Sequence, residues 1–487
     1  MVKHLRAATA LFLVLMTTTL LAGCSGYGPG PGPYNYPPGT LYRTHYNIHI
    51  QYDDAKHTAV CKQTIRYVNN SKDKMDEVYL HIYPNHFSKK EYVNMLTQDT
   101  YQTYPGNVFS PGWIALDGVK VDGTDAEYKI QGEENTILRI PLKEPLLREH
   151  SIQMSLEYRL QLPNMKGRFA WGSVSANFAN WYPILAVYDD KGWHLDKYYE
   201  LGDPFYSETS DYQVTIDLPK GMQAATTGRI LSDADESGRH RLDVSAEGVR
   251  DFAFAASCDF TIAEKDVLGV NVRVALPKNN ARRMTAMQAV AGDALRVFTK
   301  RFGPYIGDTL TVAFVNDFTG MEYPGIVFID ADLLNGSDNA EFCSRCVVHE
   351  IAHQWWYSAV GNNEVDEAWL DESLTSFSEM VYVAERSGWE EAERYWDMET
   401  PYESKPMLRK LGEFYGWSDY GYIYRYGPLF YRQMMKYLGD DAFYAMLQKY
   451  YSIYKYRVAT SESLRNLVVE TGNTDAIKWY DKWVYGK

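Results

Sequence analysis

The chain has 487 residues, long for one domain, so two or three hydrophobic cores are expected. Its composition, 45% hydrophobic, 23% charged and 15% aromatic, is that of a folded globular protein and excludes extensive disorder or a collagen-like repeat. A formal charge of −14 argues against a nucleic-acid partner, which would need a basic stripe.

At the N-terminus Lys3 and Arg6 precede an apolar run over residues 7–21, the layout of a secretory leader and too short for a membrane span. The run ends in Leu21-Ala22-Gly23-Cys24, which resembles the bacterial lipoprotein box. That resemblance implies cleavage before Cys24, a lipid on its thiol and a location outside the cytoplasm, in the cell membrane or envelope. Residues 1–23 are then a signal peptide. Residues 24–40, with SGYGPGPGPYNYPPGT after the cysteine, have the Gly/Pro content of a tether without apolar grip. No later stretch is long and apolar enough to span a bilayer. Cys61, Cys258, Cys343 and Cys346 are too few and scattered for a disulfide scaffold.

Residues 41–262 read as an all-β domain. Runs at 42–52 (YRTHYNIHIQY), 58–67, 151–158 and 212–218 alternate apolar and polar residues, with turn signals such as Pro219-Lys220-Gly221 between them. The character changes gradually across 262–276. From 280 to 302 the apolar residues recur at helical spacing, and strand-like runs follow at 310–315 and 326–329. Beyond Ser337 the pattern is mostly helical. Residues 263–487 therefore read as an α+β domain with a small sheet before helices.

Residues 349–353 are His-Glu-Ile-Ala-His. On a helix, histidines four apart lie about 40° apart around the axis and can share one metal ion. Ser337 or Asp338 stands where an N-cap is expected. A catalytic zinc needs a third protein ligand and an open fourth position. Glu350 is directed toward the water in that position. Glu372, in Ala-Trp-Leu-Asp-Glu-Ser-Leu, lies nineteen positions after His353. Here the chain resembles the aminopeptidase N family of gluzincin zinc metallopeptidases, whose signature is HExxH, eighteen residues, then Glu within Trp-Leu-Asn-Glu-Gly. Asp371 and Ser373 replace the family's Asn and Gly. The resemblance implies one zinc per chain held by His349, His353 and Glu372, with Glu350 as base. It also implies a thermolysin-like catalytic domain behind the β-domain. Glu379, seven residues further on and on the same helical face, is placed to accept from a ligand histidine. Cys343 and Cys346 read as buried packing, since thiolate ligands would close the coordination that catalysis needs open.

Thr319-Gly320-Met321-Glu322-Tyr323 resembles the family's Gly-x-Met-Glu-Asn strand, with Thr319 and Tyr323 as departures. The resemblance implies that Gly320, Met321 and Glu322 bind substrate, with Glu322 taking the free α-ammonium. A fixed carboxylate rewards a cationic amine at one distance only, so cleavage falls after the first residue. The family's oxyanion-stabilising tyrosine maps best onto Tyr424, with Tyr422 and Tyr426 as competitors. Its further amine-binding residue has no match in residues 177–183 (NFANWYP). The family's long C-terminal helical domain is not expected, which implies a more open cleft.

The expected protein is thus a zinc-dependent aminopeptidase acting on peptides with a free N-terminus, anchored through Cys24. A thermolysin-like endopeptidase, or a non-catalytic peptide-binding envelope lipoprotein, remains the alternative. The anchor has its own test. Cys24→Ser should leave the chain without lipid and release it from the membrane fraction. Unchanged membrane retention of that variant would remove the lipoprotein reading.

Overall fold

Alternation of buried and exposed side chains along Thr44–Asp53 and Ser151–Gln161 gives each strand one core face and one wet face. These strands belong to an eight-stranded sheet, which runs Arg229–Glu236, Arg239–Val249, Ser210–Pro219, Thr44–Asp53, Thr58–Val68, Ser151–Gln161, Trp113–Val121, Thr124–Asp125. Only the pair Thr44–Asp53 and Ser210–Pro219 is parallel. The computed structural model describes residues 42–93, 104–317, 319–336, 339–396 and 405–487. The leader, Cys24, the tether, Ser337 and Asp338 lie outside the described residues.

Two four-stranded sheets close the apolar side of the large one. One contains Phe169–Trp171, Ala176–Phe178 and Phe254–Ser257, the other Met75–His81 and Ile137–Leu146. Aromatic rings fill the space between. Phe178 stacks on Phe254 at 4.4 Å, and Tyr46 stacks on Tyr212 at 4.7 Å. The Tyr182 hydroxyl donates to that of Tyr212 at 2.9 Å. Much of the tyrosine content is therefore core.

A five-stranded sheet begins at Phe260–Val267 and continues through Val270–Pro277, Thr309–Val315 and Ile326–Asp330 to Gly320–Met321 at its edge. Thr309–Val315 and Ile326–Asp330 are buried along their whole length, as central strands covered on both faces must be. The crossover between Val270–Pro277 and the parallel strand Thr309–Val315 is the helix Met284–Phe302, preceded by a short 3-10 turn at Lys278–Arg283. After the sheet come the helices Ala340–Ala352, Trp369–Ser387, Trp417–Leu438, Asp440–Tyr454, Ser461–Glu470 and Thr474–Tyr485. The β-rich first half and the α+β second half match the architecture expected from the sequence. Asn339 precedes the Ala340–Ala352 helix without a side-chain cap bond. Among the described residues no helix is long and apolar enough to cross a membrane.

The two halves are pinned by side chains that bond across them. Arg250, 2% exposed, donates to the carbonyls of Ser207, Tyr357, Ala359 and Arg457. Gly361 is a glycine because a Cβ there would strike the Arg250 guanidinium. Nearer the cleft, Asn177 Nδ2 donates to Asn316 O at 3.0 Å, and Asn316 Nδ2 donates to Met165 O at 2.8 Å. Arg250→Ala would remove a donor from four carbonyls, two of them in buried contacts, and open a cavity. It should destabilise the fold by about 3 kcal/mol or more, seen as an earlier urea transition. An unchanged transition would show that the pin carries no stability.

Candidate active site

The Ala340–Ala352 helix turns one stripe of side chains into a cavity of about 410 Å³. Phe342, Arg345, Cys346, His349, Glu350 and His353 are spaced for one helical face, and all of them line it. His349 Nε2 and His353 Nε2 lie 3.2 Å apart, and Glu372 Oε2 is 3.4 Å from each. Glu372 arrives from the Trp369–Ser387 helix, which is buried without a break from Trp369 to Val381 despite seven polar residues in that stretch. Buried polar residues in such number need partners.

The other ring nitrogens have theirs. His349 Nδ1 meets Glu379 Oε1 at 2.7 Å. His353 Nδ1 lies 3.2 Å from both Trp356 O and Thr375 Oγ1. Donation from Nδ1 turns the Nε2 lone pairs of both rings toward each other and toward Glu372. Glu372 Oε2 is buried and has no hydrogen-bond partner. Two nitrogen lone pairs and an orphaned carboxylate oxygen converging beside an open cavity are a three-donor site for a divalent cation, with room for a fourth ligand. The carboxylates at this point favour positive charge. Burial would lower His349, yet Glu372 and Glu379 push it up to about 10. Burial would raise the Glu372 carboxyl, but the two histidine rings beside it hold it down at about 2.

Glu350 sits beside this cluster, buried, and burial pushes its carboxyl up to about 8. Its carboxylate presses against Gly320, where any Cβ would collide with it. This is why the edge strand Gly320–Met321 begins on glycine. Glu322 follows, 3% exposed, with Oε1 unpartnered. Glu322, Glu350 and His353 each offer an atom to a second cluster within 4.8 Å. Gln354 fixes the turn behind Glu322: its amide donates to Tyr323 O at 3.1 Å and accepts from Gly325 N at 2.8 Å. The metal-binding helix and the edge strand are thereby one unit. Tyr323, where the family has Asn, is wholly buried against Phe328.

Among the three candidate tyrosines, Tyr424 lines the cavity and its hydroxyl bonds to Glu372 Oε1. Tyr422 instead donates to Lys405 O at 2.8 Å, and the Tyr426 ring packs on Tyr422. All three lie on the Trp417–Leu438 helix. Pro428, four residues after Tyr424, cannot donate to the Tyr424 carbonyl, so the helix is relaxed at the turn that carries it. The helix also approaches closely: Gly427 has no room for a Cβ against Ser373, and Ser373 Oγ donates to Ile423 O at 2.8 Å. Ser373, in place of the family's Gly, thus bonds the helices that carry Glu372 and Tyr424.

Sequence reasoning missed the residues that the first half contributes. Arg168, Glu200, Gly202 and Asp203 line the same cavity, with Arg168 and Asp203 paired at 3.0 Å. They sit in irregular loops, where periodicity carries no signal. Gly202 has φ +67°, and a Cβ there would strike the Tyr420 hydroxyl. Residues 177–183, the region compared for an amine-binding residue, are core: Asn177 holds the loop at Asn316, and Trp181 and Tyr182 are wholly buried. Cys343 and Cys346 are buried free thiols, as expected, and Cys346 also walls the cavity.

Comparison with known proteins agrees with the motifs. Residues 289–483 match the Peptidase family M1 domain. The chain is 27% identical to Aminopeptidase 2 of Candida albicans over 223 residues, 40% of this chain and 23% of that protein. It is 26% identical to Aminopeptidase N of Lactococcus lactis over 182 residues, 34% of this chain and 21% of that protein. The matched segments thus span less than a quarter of these curated relatives. The crystal structure of an M1 zinc metallopeptidase from Deinococcus radiodurans superposes with a TM-score of 0.66 at 16% identity, covering 91% of this chain and 93% of that one. A mutant of that enzyme bound to a Tyr-Ser-Ala substrate gives 0.67 at 17% identity, covering 91% and 93%. Residues 289–483 thus resemble an M1 peptidase domain of the aminopeptidase N-like, gluzincin type, and the ion that suits the three donors is Zn²⁺. Glu379→Gln should weaken zinc binding by about 10- to 100-fold in a chelator competition, because His349 loses the carboxylate that orients it. Unchanged affinity would remove Glu379 from that role.

Proposed function

We propose that this chain is a zinc-dependent aminopeptidase that removes N-terminal residues from peptides outside the cytoplasm. The observation that carries the exopeptidase reading is Glu322, a buried carboxylate with one oxygen unpartnered, beside Glu350 and His353. Burial, and then the neighbouring Asp203, push its carboxyl well above the usual range. A cation placed there relieves both effects, and the ammonium of a free N-terminus is such a cation. The leader and the box ending at Cys24 support the extracytoplasmic location and the lipid anchor.

The roles of the side chains follow from their positions. When bound by His349, His353 and Glu372, zinc supplies Lewis-acid activation of water and of the scissile carbonyl. Glu350, between the metal-binding residues and the edge strand, takes the proton of the attacking water and delivers it to the leaving amine. Tyr424 is held well above its ordinary range by burial and by Glu372, so its hydroxyl stays protonated and can donate to the developing oxyanion. Gly320 and Met321 form the edge of the sheet, where substrate backbone can add as a further strand. Glu322 holds the ammonium.

Two substitutions separate these roles. Glu350→Gln should retain one zinc per chain and lose about a hundredfold or more in kcat. Glu322→Ala should retain zinc and lower kcat/KM by about 10- to 150-fold, since a charge-assisted hydrogen bond is worth about 1.5–3 kcal/mol. Peptides with a free amine should be cleaved and their N-acetylated forms should not. Cleavage of acetylated peptides at internal bonds, indifferent to Glu322→Ala, would replace this reading with a thermolysin-like endopeptidase.

A further inference from the structure

The cavity is not symmetric in charge along its length. Glu322 clusters with His353 and Glu350 at one end. At the other end Glu379 takes His349 on one oxygen and Arg345 on the other, so Arg345 lies beyond His349, away from Glu322. It is fixed there. Its Nε and one terminal nitrogen both meet Glu379 Oε2 at 3.3 Å, and its guanidinium lies over the rings of Tyr395 at 4.6 Å and Trp396 at 5.4 Å. A guanidinium so stacked and bonded has lost most of its conformational freedom before any ligand arrives. It is not sealed, however: the Arg345 side chain keeps 36% of its surface open and lines the cavity. Phe342, one turn earlier and 46% exposed, adds an apolar wall beside it.

We propose that Arg345 is a specificity residue that binds the terminal carboxylate of short peptides, so that the preferred substrates are di- and tripeptides with both ends free. This rests on the aminopeptidase reading, which places the amino end at Glu322. A peptide lying from Glu322 past the three metal-binding residues then sends its leaving segment toward the start of the Ala340–Ala352 helix. Arg345 stands four residues before His349, about 6 Å along the helix axis. An extended chain covers about 3.3–3.6 Å per residue, so a carboxylate one or two residues beyond the scissile bond comes within reach of the side chain. The planar fork suits a carboxylate, and the carboxylates at the opposite end suit an ammonium.

The test compares Ala-Ala-Ala with Ala-Ala-Ala-amide on the zinc-loaded full-length chain. The free acid should be favoured in kcat/KM by about tenfold or more. Arg345→Met should bring that ratio to about one, and Arg345→Lys should leave it in between. If Arg345 acted only by orienting Glu379, both substrates would slow alike and the ratio would survive. A wild-type ratio near one, or an undiminished ratio in Arg345→Met, overturns the proposal. Binding of the same two peptides to the Glu350→Gln variant by calorimetry gives the ratio without turnover. Failure of the aminopeptidase reading shows separately, as equal handling of Ala-Ala-Ala and its N-acetyl form.

Discussion

Two imidazole nitrogens held 3.2 Å apart with their lone pairs converging are an unfavourable arrangement, and the catalytic half is organised to maintain it. Each ring is locked from behind through Nδ1, by Glu379 for His349 and by Trp356 O and Thr375 for His353. Those partners lie on or beside a helix whose first thirteen residues are all buried. Its polar residues are tolerated because they are bonded: Ser373 to Ile423 O, Ser378 to Leu374 O and the Trp356 indole, Thr375 to His353. Asp371 Oδ1, Ser376 Oγ and Glu372 Oε2 have no such partner, and the last of them lies where a cation belongs.

The substrate side depends on a second set of constraints that run between the two halves. The loop after Thr309–Val315 is tied to the first half through Asn177 and Asn316, and the turn after Glu322 is tied to the metal-binding helix through Gln354. Base and strand are in direct contact at Gly320. A small displacement of the first half would therefore reach the edge strand and Glu350 together, because packed elements transmit shifts without absorbing them.

What was legible in the sequence divides along physical lines. The strands at 42–52, 58–67, 151–158 and 212–218 appear as Thr44–Asp53, Thr58–Val68, Ser151–Gln161 and Ser210–Pro219, because a sheet with one wet face writes its period into the residues. His349, His353 and Glu372 were legible because a metal demands fixed residue types at fixed helical spacing, and Glu379 followed from the same face. Tyr424 could be ranked above Tyr422 and Tyr426 only by motif position, since the three are chemically alike; the cavity distinguishes them by contact with Glu372. Arg168, Glu200 and Asp203 were not legible at all. Their approach to the site is set by how one loop of the first half folds over the second, and no local periodicity encodes that. The departures Ser373 and Tyr323 look like losses against the family motif, yet one bonds a neighbouring helix and the other is a buried ring.

Arg250 draws carbonyls from residues 207, 357, 359 and 457, positions spread over half the chain, into one buried guanidinium. During synthesis the last of these leaves the ribosome only when most of the polypeptide is already outside, and the helix carrying Tyr424 is also late. A nascent chain can therefore complete the first sheet, and even pair its histidines, without assembling a competent cleft. The cleft is therefore complete only once nearly the whole sequence is available to fold.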